Sequence, residues 1–363
     1  MIANRKDDHV RYAHEQQHDL AGHNQFDDVT FVHHALAGID RSEVSLATSF
    51  GGIDWPVPLY INAMTGGSVR TGEINRDLAI AARETGVPIA TGSMSPYFAD
   101  DSTADTFSVM RKEHPDGFII ANVNANATVE KARRAIDLLQ ANALQIHLNT
   151  IQETVMPEGD RSFSSWGPTI EKIVAGVDVP VIVKEVGFGL SRETLSRLRD
   201  LGVPIADVAG SGGTNFARIE NDRRDRNDYS FLLGWGQSTP ACLLDAQGAG
   251  LPVLASGGVR NPLDVVRGLA LGASAAGASG LFLSTVLDAG VPGLISLISA
   301  WLDQLAALLT ALGARTPAEL TRCDVLIQGG LNAFCVQRGI DTGRLAVRSR
   351  SYGTTEQTVG GIR

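Results

Sequence analysis

Cysteine is scarce: Cys242, Cys323 and Cys335 are the only three in 363 residues. They are too few and too widely spaced for a disulfide framework or a zinc ribbon, so they read as free thiols in a reducing cytosol. Positive charge is short as well. Lys and Arg number 31 against 40 Asp and Glu, a formal net charge of −9. That balance argues against nucleic-acid or membrane-surface partners, whose footprint is a basic excess. Long hydrophobic runs are missing. The opening MIANRKDDHVRYAHEQQHD lacks the apolar core of a signal peptide. The longest apolar region, residues 293–312, is interrupted by Asp303 and Gln304 and does not read as a membrane span. The expectation is a cytoplasmic protein with no nucleic-acid or membrane partner. What is present is a 44% apolar, 20% charged chain, enough to bury a large core. Any anionic ligand must then be held locally, by a few cations, a metal or backbone N–H groups.

The first 50 residues are polar and hold His9, His14, His18, His23, His33 and His34, six of the eight histidines. Their spacings follow no metal-ligand template, and the segment reads as an N-terminal arm with surface helices. Within it, Arg5-Lys6-Asp7-Asp8-His9 gathers two cations and an imidazole. From residue 57 the rhythm changes. Short β-rich or small-apolar runs recur at 58–62, 88–91, 117–122, 144–148, 181–184, 205–209, 253–255 and 275–278. Most are followed by a helical pattern, such as 73–85, 128–141 and the segment after Ser191, which reads as an N-cap. A long stripe of Leu294, Ile298, Trp301, Leu305, Leu308 and Leu312 reads as a barrel-covering helix. Runs as continuous as VPVIVKEV belong to a sheet buried on both faces. Eight βα units predict a single (β/α)8 TIM barrel. The expected division is an arm at 1–50, a barrel at 51–320 and a C-terminal helical extension and tail at 321–363.

Barrel enzymes keep their chemistry at the C-terminal ends of the strands. Glycine-rich turns follow the sixth run (Gly210-Ser211-Gly212-Gly213-Thr214), the seventh (Ser256-Gly257-Gly258-Val259-Arg260) and the eighth (Gly277-Ala278-Ser279). Such turns let backbone N–H groups approach a phosphate. Thr65, Ser93 and Asn122 can meet the carbonyls and N–H groups of a flat heteroaromatic ring. Lys184, ending a buried strand, needs a counter-anion. A reduced flavin with negative charge near N1 would serve, and so would an internal partner, Glu185 or Glu153. The fourth unit gathers His147, Asn149, Gln152 and Glu153. Glu153 with a carbonyl from Asn149 or Gln152 would suit Mg²⁺, or the cluster could be a hydrogen-bonded loop anchor. Insertions are expected at 149–166 and 210–250. The mixed charge run 223–228 in the second reads as a solvated surface or subunit contact without a catalytic role.

These residues resemble the type 2 isopentenyl diphosphate isomerases, the FMN-dependent kind. The likeness runs from Arg5-Lys6-Asp7-Asp8-His9 through Ala63-Met64-Thr65-Gly66-Gly67, Ala121-Asn122, His147-Leu148-Asn149 with Gln152-Glu153, and residues 156–161. It continues in residues 183–189, Gly212-Gly213-Thr214, Trp235-Gly236 and residues 255–260. The HLN…QE and VKEVGFG motifs are specific to the family, whereas the GG pairs are shared by many flavin barrels. The resemblance implies a 1,3-allylic shift of isopentenyl diphosphate to dimethylallyl diphosphate, with reduced FMN, Mg²⁺ and NADPH as reductant. It implies that Gln152 is an acid/base partner and that Glu153 holds Mg²⁺. Arg5, Lys6, His9, His147, Asn149 and Gln152 would bind the substrate. Ala63, Met64, Thr65, Ser93, Asn122, Lys184, Thr214, Gly257, Gly258, Arg260, Ala278 and Ser279 would hold FMN. A homotetramer or homo-octamer, with the arm closing over the site, is also implied. On chemistry alone an amide is a poor acid, so Gln152 reads first as a positioning group. Ser95 departs from the pattern, since many members carry arginine there. The alternative is an FMN-dependent hydroxy-acid or nucleotide-base oxidoreductase. Its usual late-loop histidine or cysteine has no counterpart in Ser256-Gly257-Gly258 or in the sixth turn.

Overall fold

The computed structural model describes residues 2–19 and 23–351. Eight parallel strands stand where the apolar runs lie: Leu59–Ile61, Ile89–Ala90, Ile119–Asn124, Ala143–His147, Val181–Lys184, Ile205–Asp207, Val253–Ser256 and Ala276–Ala278. They pair in chain order and close on themselves, the eighth bonding to the first. This is the (β/α)8 barrel expected from the sequence. Its helices start and stop as their caps dictate. Ser191 accepts from the Thr194 N–H ahead of helix Arg192–Asp200, and helix Val69–Thr85 ends at Gly86 with φ +72°.

Inward-facing residues alternate along each strand, and here they form two unlike layers. The lower layer is apolar: Tyr60, Ala90, Ile120, Ala143, Ile182, Ile205, Leu254 and Ala275 cluster with Phe50, Ile53 and Trp55. Those last three sit on a hairpin, Thr48–Phe50 with Ile53–Trp55, that plugs the N-terminal end of the barrel. Its turn, Gly51-Gly52, has φ +53° and +80°, which is why two glycines stand there. Two residues further along each strand the layer turns polar: Asn62, Asn122, Gln145, Lys184, Asp207 and Ser256, all buried. The barrel is thus dry below and hydrogen-bonded above, facing the mouth where ligands bind.

Helix Gly280–Leu312 is long and apolar enough to cross a membrane by length and composition. It is broken at Gly290 (φ +65°) and buries Leu294, Ile298, Trp301, Leu305 and Leu309. The segment after residue 320 carries more than helix. Val325–Ile327 pairs antiparallel with Val29–Phe31, stitching the two flanks of the barrel together. Three residues are too few for an alternating pattern to register in sequence. The last part of the expected tail, 352–363, lies outside the described residues. The polar N-terminal arm opens with a helix, Ile2–His18, anchored by the fully buried Val10 and Ala13. It then supplies strand Val29–Phe31 and the first strand of the hairpin plug.

Candidate active site

A cavity of ≈ 300 Å³ opens at the C-terminal mouth, walled by all eight strand ends and by the N-terminal helix. The expected residues meet there. Arg5, Lys6 and His9 come from the helix, and His147, Asn149, Gln152 and Glu153 from the fourth unit. Ala63, Met64, Ser93, Asn122, Lys184, Thr214, Gly257, Gly258, Arg260, Ala278 and Ser279 complete the wall. Thr65 stands behind it. Its carbonyl accepts from the Gly92 N–H at 3.0 Å, and its buried hydroxyl has no partner. Ser95, at the position of departure, lines the cavity and lies 3.0 Å from the Ser93 hydroxyl.

The polar layer under the cavity is one directed chain of hydrogen bonds. Asp207 accepts from Tyr60 (2.7 Å), Asn62 (2.9 Å) and Ser256 (2.7 Å). Because the Asn62 amide N–H₂ is committed to Asp207, its oxygen accepts from Gln145 at 3.2 Å. The Gln145 oxygen in turn accepts from Asn122 at 3.0 Å. That leaves the Asn122 oxygen facing His147 Nδ1 at 2.7 Å, so Nδ1 carries the proton and Nε2 is the bare nitrogen. Burial, with Lys184 and Lys6 nearby, pushes the His147 pKa down to about 3. Lys184 is also buried, which lowers its pKa against the pull of Asp207 and Glu185. Its ammonium donates to the Glu185 backbone carbonyl at 2.6 Å. The Glu185 carboxylate is itself engaged by four successive N–H groups, from Val186 to Gly189. Lys184 therefore lines the cavity with a backbone carbonyl for its hydrogen-bond partner and, among the described residues, no carboxylate in direct ion-pair contact, the setting in which an anionic ligand is stabilised.

The second polar cluster joins the fourth unit to the insertion after the sixth strand. Fully buried Glu220 accepts from Gln152 Nε2 at 2.8 Å, and Arg223 pairs with its other oxygen. Burial would raise the Glu220 pKa, but His9, Gln152 and Arg223 outweigh it and hold it down at about 2. Asn149 Nδ2 donates to Gln152 Oε1 (3.2 Å) and to Glu153 Oε1 (3.0 Å). Glu153 Oε2 accepts from the Asp160 N–H at 2.7 Å. Glu153 is thus a loop anchor that also fronts the cavity, with a lone pair to spare on each oxygen.

Three features fit anionic ligands. His9, whose Nε2 lies 3.0 Å from Glu220 Oε1, lines the cavity, and Arg5 Nε is buried with no hydrogen-bond partner among the described residues. Burial beside Arg5 lowers the Lys6 pKa to about 8, a strain that an anion would relieve. Across the cavity the glycine turns form a backbone cradle: a Cβ at Gly257 would run into the Gly210 carbonyl. Within that cradle the Arg260 guanidinium is held by Asp27 (2.6 Å) and Asp264 (2.8 Å). Its side chain therefore braces the turn.

Glu220 and Asp207 are not singled out by the sequence, and Arg223 lies in the mixed charge run that reads there as a solvated surface or subunit contact. Arg223 is only 15% exposed and ties Glu220 to Glu158. The signal for Asp207 was available, two residues beyond an inward-facing Ile205. For Glu220 there was none, because the insertion brings it back from far along the chain.

A family model described as FMN-dependent dehydrogenase matches residues 103–326. An isopentenyl-diphosphate delta-isomerase of Kitasatospora griseola is 69% identical over 361 residues, 99% of each chain. Another from Streptomyces sp. (strain CL190) is 70% identical over 361 residues, again 99% of each. Among solved structures, a mutant flavocytochrome b2 with pyruvate bound aligns with a TM-score of 0.63 at 19% identity. It covers 86% of this chain and 80% of that one, a likeness of fold.

Proposed function

The chain belongs to the flavin-binding isopentenyl-diphosphate delta-isomerases, and on that premise we propose that it converts isopentenyl diphosphate to dimethylallyl diphosphate using reduced FMN and Mg²⁺. The observation that carries the reading is a pair of anion sites facing one another across a single cavity. Arg5, Lys6, His9 and His147 lie on one side and the Gly257-Gly258 cradle on the other. The cradle suits the flavin phosphate. The Arg5 and Lys6 cations, with Mg²⁺ on Glu153, suit the diphosphate and offset its charge in an acidic chain.

The reaction places a proton on the terminal methylene carbon and removes one from the carbon two bonds from the diphosphate oxygen. No ordinary side chain protonates an alkene readily. Reduced FMN, maintained by NADPH, would supply an electron-rich ring whose N5 region can exchange protons. Lys184 would compensate negative charge on that ring. Asn122, fixed by Gln145, would meet its polar edge. Gln152 cannot itself be a strong acid, but its amide is locked from both ends by Asn149 and Glu220. It therefore orients the alkene and keeps water out, and Glu220 behind it supplies negative charge where carbocation character would develop.

The test is anaerobic turnover of the purified protein with isopentenyl diphosphate, FMN, Mg²⁺ and NADPH, beside tubes lacking one component each. Product should require FMN, reductant and Mg²⁺. Gln152→Leu should lower kcat by about 10²–10⁴-fold with flavin uptake unchanged. No product from reduced, flavin-loaded protein would sink the proposal.

A further inference from the structure

Outside the cavity, the N-terminal helix carries a second cluster that the isomerase reading does not use. His14 and His18 are four residues apart and share one helical face. Their rings meet edge to face, centroids 4.7 Å apart. Opposite them, on the first arm of helix Gly280–Leu312, is Asp288. His14 Nε2 lies 3.2 Å from Asp288 Oδ1, and His18 Nε2 lies 3.5 Å from Asp288 Oδ2. Ligand atoms of all three residues fall within 4.8 Å of one another. With metal–ligand bonds near 2.0–2.1 Å, neighbouring corners of a tetrahedral shell are about 3.3–3.4 Å apart. Each Nε2 stands about one such edge from an Asp288 oxygen, Oδ1 for His14 and Oδ2 for His18, and the carboxylate turns to offer one of them to the ion.

A further group supports the arrangement. Ser284, one turn before Asp288 and buried, places its hydroxyl 2.8 Å from His14 Nδ1. A metal on Nε2 requires the proton on Nδ1, and Ser284 is there to accept it. This is the outer-shell contact that orients a ligating imidazole.

We propose that His14, His18 and Asp288 form a binding site for a divalent transition-metal ion of the Zn²⁺ class, with water as fourth ligand, that clasps the N-terminal helix to the helix after the eighth strand. Two imidazoles and one carboxylate suit Zn²⁺, Co²⁺ or Ni²⁺, whereas Mg²⁺ prefers an all-oxygen shell. The clasp acts on the helix that presents Arg5, Lys6 and His9, so the ion fastens that helix over the cavity. The site itself does not depend on the isomerase reading, and its test does not use turnover.

Flavin-loaded full-length protein, in excess Mg²⁺, is titrated with Zn²⁺ by calorimetry and with Co²⁺ by visible absorption. One ion per chain should bind, with the intense d–d bands of tetrahedral Co²⁺. Ser284→Ala should weaken binding by about 10-fold or more. His14→Ala and Asp288→Asn should abolish it, and His33→Ala, elsewhere on the arm, should leave it unchanged. At ten times Kd, hydrogen exchange of the N-terminal helix amides should slow by about elevenfold. The flavin spectrum of each variant reports that the barrel is folded. Ion uptake that survives both His14→Ala and Asp288→Asn, or no uptake by the parent protein, would overturn the site. Uptake without slowed exchange would overturn the clasp.

Discussion

The charge of His147 is set by its buried surroundings at the cavity wall. The chain from Asp207 through Asn62, Gln145 and Asn122 commits its Nδ1 proton, and burial near Lys184 and Lys6 keeps it neutral. A neutral imidazole with a bare Nε2 gains nothing from a phosphate oxygen until it takes up a proton, so diphosphate and proton should bind together. Without ligand the same depression has a cost in acid. The folded pKa is about 3 against an ordinary 6.5, so the unfolded chain binds the extra proton between those values. The stability from neutral His147 is therefore complete above pH 6.5 and drains away as pH falls toward 3. Between pH 7 and 5 that is about 2 kcal/mol. Urea unfolding of ligand-free protein at those two pH values should show His147→Asn losing about 2 kcal/mol less than wild type. Equal losses would mean that His147 takes up its proton in the folded chain as readily as in the unfolded one.

At the scale of elements, the N-terminal helix is both wall and fastening. Val10 and Ala13 bury it, and Gln16 exchanges two hydrogen bonds with the Asn215 backbone, at 2.8 and 3.2 Å. If this docking is what delivers Arg5, Lys6 and His9, Val10→Asp should release the helix, because an unpaired carboxylate is costly in an apolar contact. The expected result is a KM for isopentenyl diphosphate raised by roughly tenfold or more, with flavin content and the unfolding midpoint of the barrel held. An unchanged KM would show that the helix does not contribute to binding. The barrel strands were legible because each is a short apolar run that ends in a polar or glycine residue, and their order follows from the parallel fold. The strand-end residues were legible for the same reason. The directed chain was half legible: Asn122 and His147 stand out as polar residues at strand ends. Asn62, Gln145 and Asp207 follow only when the two-residue period is carried inward from Tyr60, Ala143 and Ile205. Glu220 and Arg223 were not legible, since a helix of polar appearance, Phe216–Asp222, gives no local sign that one face returns to the fourth unit. The strand Val325–Ile327 was hidden by its brevity and by a partner about 300 residues away.

For the molecule as a whole, the insertion that supplies Glu220 and Arg223 also displays two exposed aromatic groups. Phe231 is 76% and Trp235 57% exposed, and Tyr229 stacks 5.7 Å from Phe231. Exposed aromatic groups clustered in this way are the composition expected of a subunit contact. The homotetramer or homo-octamer implied by the family resemblance would give it a partner. A chain of charge −9 associates against its own repulsion, so the contact should strengthen with salt as that repulsion is screened. Light scattering behind size exclusion should give four or eight times the 38.5 kDa chain mass, and Trp235→Asp should lower that number. The effect should reach the active site. Once the loop loses its backing, Glu220 is held less firmly beneath Gln152 and beside His9, so kcat should fall and KM for the diphosphate should rise with it. A wild-type monomer at 38.5 kDa with full activity would show instead that the insertion holds Glu220 in place unaided.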